Sequence, residues 1–293
     1  LYTKNNRLRG SVTRFESFRA CPFRHFACYG LRLGERIERN FGAPDLGTLL
    51  HGVLQDFGEQ LREEGRHWRD VKEEECRKLV EEILARLAPK VQNEILLSSA
   101  QYKNYLQRIE KTARNSLLHL IEFDAASDFR PVALERSFGS GSGGMPPLAY
   151  PLGNGFVLEI TGQIDRIDRD GENRYFLIID YKTGEAHLDL LEVYYGLKLQ
   201  LLTYLLVARD LLLRAADGEA LPAAMLYCFL NNPLVNVKPH SGEEKEALNK
   251  ARLMPGWLLE DEDVVRAING TGRFTKVSLT KAGRLSRQQK GSL

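Results

Sequence analysis

Gly162-Gln163-Ile164-Asp165-Arg166-Ile167-Asp168 and Leu177-Ile178-Ile179-Asp180-Tyr181-Lys182-Thr183-Gly184 flank Asp170-Gly171-Glu172-Asn173. Both flanking runs are rich in β-branched residues, and the connector holds a glycine at a turn position. This pattern predicts an antiparallel hairpin with strands over 156–169 and 175–182. Side chains alternate faces along a strand, so Asp180 and Lys182 point one way and Tyr181 the other. Paired strands lie about 4.8 Å apart, which brings Asp165 within reach of Asp180. Two carboxylates and an ammonium group then converge at one end of an apolar sheet.

Working outward, Pro131 to Phe138 and Ala223 to Leu230 read as further strands, and Leu188 to Leu213 as a helix. Upstream, Leu46, Leu50, Val53, Phe57 and Leu61 recur at helical spacing in a helix over 46–64. Two more helices are predicted over 71–88 and 101–123, punctuated by Pro89 and Pro131. Near the start, Ser11 or Thr13 can cap a helix, with Glu16 at capping-box spacing from Thr13, and Pro22 interrupts it. The Gly-, Ser- and Pro-rich stretch 139–147 is expected to be a flexible loop, and 284–293 to be frayed. The order is helices followed by β-β-β-α-β. It implies an α/β fold with a mixed β-sheet flanked by helices, an N-terminal helical region and a helical insertion.

The 293 residues are 43% hydrophobic and 27% charged, a composition that excludes wholesale disorder. No apolar run reaches the ~18–20 residues that span a bilayer, and the polar start resembles no secretory signal. A cytosolic chain that does not engage a membrane is expected. Net charge is only +2, but it is unevenly spread. Residues 1–40 carry nine Lys or Arg against three Glu, and seven basic residues follow Asp263 with no further acid. Such patches line a phosphate path or form ordinary solvated faces. Cys21, Cys28, Cys76 and Cys228 include no C-x-x-C pair, and their spacing makes no zinc site.

The carboxylates suggest a chemistry. Mg²⁺ prefers oxygen ligands and relieves the repulsion between neighbouring Asp side chains. A bound divalent ion polarises a phosphoryl oxygen and lowers the pKa of water, while Lys182 orients that water or stabilises transition-state charge. An isolated Asp-x-Lys is common, and exposed hairpin charges are its ordinary reading. The preceding Ile-Ile, the following Thr-Gly and the second Asp favour a site.

Ile164 to Asp168 followed by Ile179 to Gly184 resembles the core of the PD-(D/E)XK nucleases, especially the C-terminal nuclease domain of the AddB and RecB proteins of bacterial double-strand-break repair helicase–nucleases. Gly47-Thr48-Leu49-Leu50-His51 is similar to that family's helix with a metal-binding His, and Gln200-Leu201-Leu202-Thr203-Tyr204 to its Q-x-x-x-Y motif. Ser11 to Phe15 and Ala20 to Phe23 are similar to the AddB segment whose Cys ligates an iron–sulfur cluster.

The resemblance covers about residues 10 to 285. It implies a restriction-endonuclease-like fold and a Mg²⁺-dependent DNA nuclease, with Mn²⁺ a possible substitute. His51, Asp165, Asp180 and the Tyr181 carbonyl would bind the metal, and Lys182 would be catalytic. Gln200 and Tyr204 would brace the site or touch DNA. Gly47, one turn before His51, leaves room for close approach on that face. Glu135 either faces the metal pocket or makes a strand salt bridge. Arg166 either contacts phosphate or forms a structural ion pair, and Asp168 is expected to be a surface acid near the turn.

Cys21 would ligate a 4Fe-4S cluster only in a longer chain, because no cysteine follows Cys228. Without a G-x-x-x-x-G-K-[ST] loop, the chain reads as a nuclease without its own ATPase. One domain over 1–293 is expected. It comprises a segment 10–45 with Cys21, a helical part 46–130, the catalytic sheet and helix 131–235, and an extension 236–293 ending before the cysteine cluster. The expected activity is exonucleolytic, on single strands or duplex ends, alongside an AddA-like helicase–nuclease partner. The rival readings are a DNA-end-binding module without catalysis and a phosphoesterase for small molecules.

Overall fold

The structure, a computed structural model, describes residues 3–34, 41–91, 96, 99–139, 145–215, 220–235 and 243–286. Most of the expected loop 139–147 and of the expected frayed end lies outside these residues. So do Arg36, Arg39, Arg287 and Lys290 of the basic patches.

The chain opens with strands β1 (Thr3–Lys4) and β2 (Arg7–Ser11), then helices α1 (Val12–Ala20) and α2 (Pro22–His25) and a π-helical turn, Phe26–Gly30. Three long helices follow: α3 (Ala43–Glu63), α4 (Glu73–Leu87) and α5 (Ala100–Ala126). Next come strands β3 (Phe129–Phe138), β4 (Leu148–Gly153), β5 (Phe156–Asp170) and β6 (Tyr175–Lys182). Helices α6 (Leu190–Tyr194) and α7 (Gln200–Ala215) lead to β7 (Leu221–Phe229), α8 (Glu244–Ala251), β8 (Gly256–Leu258) and α9 (Glu262–Ile268).

β5 organises the sheet. Its first part pairs with β2 in parallel and with β4 antiparallel; its second part pairs antiparallel with β3 and β6. β6 continues in parallel to β7, which pairs antiparallel with β8. The result is a mixed sheet between helical layers, the restriction-endonuclease-like α/β fold expected. Four strands lie outside the sequence-based expectation: β1, β2, β4 and β8 are short or flank loops and show no clear alternation.

Alternate residues of β6 enter two different cores. Leu177, Ile179 and Tyr181 pack with α3, α4 and α5, whereas Phe176 and Ile178 pack with Leu201, Val207 and Ala208 of α7. Burial on both faces is why this strand reads as a continuous apolar run. Each fully buried side chain of this size contributes about 1.5–3 kcal/mol. In α3 four residues of the predicted stripe, Leu50, Val53, Phe57 and Leu61, are at zero exposure, and Leu46 at its start is partly buried.

Three local expectations are corrected. The helix expected over 188–213 is two helices, because Gly196 takes a left-handed φ of +74° between them. Glu16 does not close a capping box on its own helix. Ser11 caps α1 by accepting from Arg14 N at 3.3 Å, and the Glu16 carboxylate turns elsewhere. Asp168 is not a surface acid. It is fully buried, and Arg166 Nε and Nη2 each donate to it at 2.7 Å.

Candidate active site

The hairpin register fixes the two aspartates. Arg166 faces Ile179 across the β5–β6 ladder, so the next pair outward is Asp165 and Asp180. Both carboxylates are buried. Tyr181 N donates to Asp165 Oδ2 at 2.6 Å, which pins that side chain to the adjoining strand. Asp180 is held differently. Among the described residues, Oδ1 has no hydrogen-bond partner, and Oδ2 lies 2.5 Å from Lys182 Nζ in an ion pair without good hydrogen-bond geometry.

Two further elements of the chain converge here. His51, on α3, places Nδ1 3.0 Å from Glu135 Oε1 of β3 and 3.6 Å from Asp165 Oδ1. Its ring meets Tyr181 edge to face, with centroids 5.5 Å apart. Glu135 also accepts from Gln163 Nε2 at 2.6 Å. The Glu135 backbone has a φ of +44° in the middle of β3, an uncommon conformation for a side chain of this size. That turn of the backbone accompanies the carboxylate's approach to His51.

His51, Glu135 and Asp165 each offer a ligand atom within 4.8 Å of the other two, a spacing suited to a cation. A buried acceptor with no donor, as at Asp180 Oδ1, costs free energy unless a positive charge faces it. The donor set is mostly hard oxygen, which fits Mg²⁺ or Mn²⁺. The residues present therefore fit a divalent ion.

The electrostatics agree. Burial raises the pKa of Asp165, and the Asp180 carboxylate beside it raises it further. Burial also raises that of Asp180, with Lys182 opposing. Burial works against the charged form of His51, but the Glu135 hydrogen bond and the Asp165 and Glu135 charges outweigh it and raise its pKa. Crowded carboxylates that resist ionisation are what a bound cation relieves.

Lys182 is positioned from a second direction. Its Nζ donates to Gln200 Oε1 at 3.0 Å, and Gln200 Nε2 donates to Tyr204 OH at 3.0 Å. Gln200 and Tyr204 thus sit behind the lysine on one face of α7 and brace it. The ammonium also lies 5.7 Å from the Tyr227 ring centre.

Glu16, Gln163 and Tyr227 are parts of this site that the sequence does not single out. Glu16 Oε1 accepts from Leu199 N at 2.6 Å and from Gln200 N at 3.2 Å. It holds the N-terminus of α7 from a point 183 residues earlier. No local signal reveals that partnership. Gln163 could have been found, because it lies two residues before Asp165 on the same strand.

One of the two alternatives for Arg166 falls away from the site. Arg166 is completely buried, paired with Asp168 and stacked with its Cζ 4.6 Å from the Trp68 ring centre, so it is the structural ion pair and not a phosphate contact. At Gly47 there is room on this face: among the described residues, a Cβ would meet only Thr183 Oγ1 at 3.8 Å, an ordinary contact. The cysteines do not form a cluster site: Cys21 and Cys28 are exposed, whereas Cys76 and Cys228 are buried in the core. Burial pushes both core thiols up to about 12. This chain's cysteines do not fit an iron–sulfur cluster.

Comparison with known proteins agrees with the geometry. The PD-(D/E)XK nuclease superfamily matches residues 9–279. The chain is 41% identical over 268 residues to an ATP-dependent helicase/deoxyribonuclease subunit from Pelotomaculum thermopropionicum, covering 89% of this chain and 23% of that protein. It is 40% identical over 284 residues to the protein of the same name from Bacillus subtilis, covering 94% and 24%. For that from Geobacillus kaustophilus the identity is 38% over 294 residues, covering 97% and 25%. The chain spans about a quarter of the length of these relatives. With the paired aspartates, the lysine two residues on and a superfamily match over most of its length, the chain belongs to the PD-(D/E)XK nuclease superfamily.

Proposed function

We propose that this chain hydrolyses phosphodiester bonds of DNA in a divalent-metal-dependent reaction, with Mg²⁺ the working ion and Mn²⁺ a substitute. The observation that carries this reading is the Asp180 carboxylate, buried, with one oxygen unpartnered among the described residues and the other against Lys182. His51, Asp165 and Asp180 would hold the ion, with Glu135 beside them and the Tyr181 carbonyl as a further ligand. When bound, the ion polarises a phosphoryl oxygen and lowers the pKa of water.

The chain's own residues supply the rest. Lys182 presents its ammonium to the attacking water or to a non-bridging phosphate oxygen, where negative charge grows. Gln200 and Tyr204 fix that ammonium, so little reorganisation is needed as charge develops. Asp165, fixed by Tyr181 N, and the His51–Glu135 pair keep the ligand atoms together before substrate arrives.

The named relatives are helicase/deoxyribonuclease subunits. By that analogy the chain is one domain, acting in the cytoplasm as an exonuclease of a double-strand-break repair complex. Its partner would be an AddA-like helicase–nuclease that feeds it single strands or duplex ends. Among the described residues, no helix is long and apolar enough to cross a membrane. A cluster ligated by Cys21 would need cysteines from a longer chain.

The complete charge set favours catalysis over a purely DNA-binding module. Labelled single-stranded DNA incubated with the chain and Mg²⁺ should be degraded, EDTA should stop the reaction, and Asp180→Ala and Lys182→Met should each slow it by about 10²–10³-fold or more. Unchanged degradation by Asp180→Ala would refute the assignment.

A further inference from the structure

The first helices display side chains that folding does not explain. Neither α2 nor the π-helical turn after it buries a single residue. Phe23 is 78% exposed, and Phe18 and Phe26 are also open to solvent. Beside them, α6 presents Tyr194 at 80% exposure, with Tyr195 next to it. The two patches are contiguous, because Arg19 Nε donates to Tyr195 O at 2.9 Å. Scattered exposed aromatics are ordinary, but two groups of them joined through Arg19 mark an interaction site.

The charge on this surface identifies the occupant. Among the described residues, Arg14, Arg19, Arg24 and Arg32 form no ion pair with any acid. Glu16, the acid of α1, is turned inward to the backbone N–H groups of Leu199 and Gln200. Unpaired guanidinium groups interleaved with exposed rings match a chain of phosphates carrying unstacked bases. A protein partner would face the same rings but would leave the arginine charges unsatisfied unless it were strongly acidic. The surface also joins the site directly, since α1 touches the residues that start α7, and Gln200 there holds Lys182.

We propose that Phe18, Phe23, Phe26, Tyr194 and Tyr195, with Arg19 and Arg24, form a stacking platform for single-stranded DNA next to the cleavage site. This rests on the nuclease reading for the identity of the polyanion, but it is tested without cleavage. A fluorescein-labelled oligothymidylate is titrated with the full chain in EDTA, followed by anisotropy. The Phe23→Ala/Tyr194→Ala variant removes two exposed rings and should weaken binding by at least about tenfold. Arg24→Gln should reduce the salt dependence of binding by about one phosphate contact. Binding to a blunt duplex, whose bases are already stacked, should change much less.

Equal oligothymidylate affinity for the parent chain and the double variant overturns the proposal. So does a parent chain that fails to bind in EDTA. Self-association of the parent that the double variant abolishes, with oligothymidylate affinity unchanged, would make the patch an interface between copies and overturn it as well. Circular dichroism melts of the variants establish that folding is intact. Failure of the nuclease reading shows separately, as absence of Mg²⁺-dependent cleavage by a chain that still binds.

Discussion

Nδ1 of His51 and Oε1 of Glu135 meet at 3.0 Å, although 84 residues separate them and they come from a helix and a strand in different layers. The carboxylate orients the imidazole and sets which nitrogen carries the proton. If this pair shapes a metal site, Glu135→Gln should weaken Mn²⁺ binding about 10–100-fold. Isothermal titration of the apo chain measures this, and an unchanged affinity would place Glu135 outside the metal's influence.

Glu16 reaches the site only through α7. Glu16→Ala leaves Leu199 N and Gln200 N without their acceptor, which should cost about 1 kcal/mol of stability. It should also slow cleavage about tenfold by loosening Gln200 behind Lys182. Glu16→Gln keeps an acceptor oxygen and should recover most of the rate. Steady-state kinetics of both variants, set against their thermal melts, separate lost positioning from lost folding.

Arg166 and Asp168 make a buried pair on one face of β5. Arg166→Met strands the Asp168 carboxylate in the core and should destabilise the chain by about 3–5 kcal/mol. Arg166→Met/Asp168→Leu, which removes both charges, should recover much of that loss. Urea denaturation of the single and double variants reads the difference.

His119 supplies a pH dependence away from the metal site. It is buried against Phe274, its Nε2 has no hydrogen-bond partner among the described residues, and burial with the Arg252 and Arg273 charges pushes its pKa down to about 4. An unfolded histidine titrates near about 6.5, so between those values the unfolded chain binds a proton that the folded chain refuses. Stability is then fully present above about pH 6.5 and falls as pH drops towards about 4, by on the order of 3 kcal/mol. Urea midpoints across this window should fall less steeply for His119→Gln than for the parent chain. Parallel slopes would contradict the assignment.

The hairpin was legible because its signals are local. Alternation sets the faces of Asp180 and Tyr181, and the turn at Asp170 to Asn173 sets the register that opposes Asp165 to Asp180. His51 lay on a well-formed apolar helix but required the family resemblance to single it out. Capping-box spacing does not find the role of Glu16, because it is a local pattern while the partners of Glu16 begin α7. Nearness to a turn suggests exposure for Asp168, which is buried instead. The Arg at i−2 on the same strand face was the available sign of a buried pair. Around Cys21, the helix start at Ser11 could be read from its capping hydroxyl, but residue spacing says nothing of which side chains lie opposite the segment.

The central claim is that His51, Asp165 and Asp180 enclose one divalent ion beside Lys182. Crystals of the chain soaked in Mn²⁺ and measured at the manganese edge test it directly. The expected result is a single anomalous peak within about 2.0–2.3 Å of a carboxylate oxygen from each aspartate and of a His51 nitrogen, lost in Asp180→Ala. A peak elsewhere, or an empty site at saturating Mn²⁺, would contradict the account.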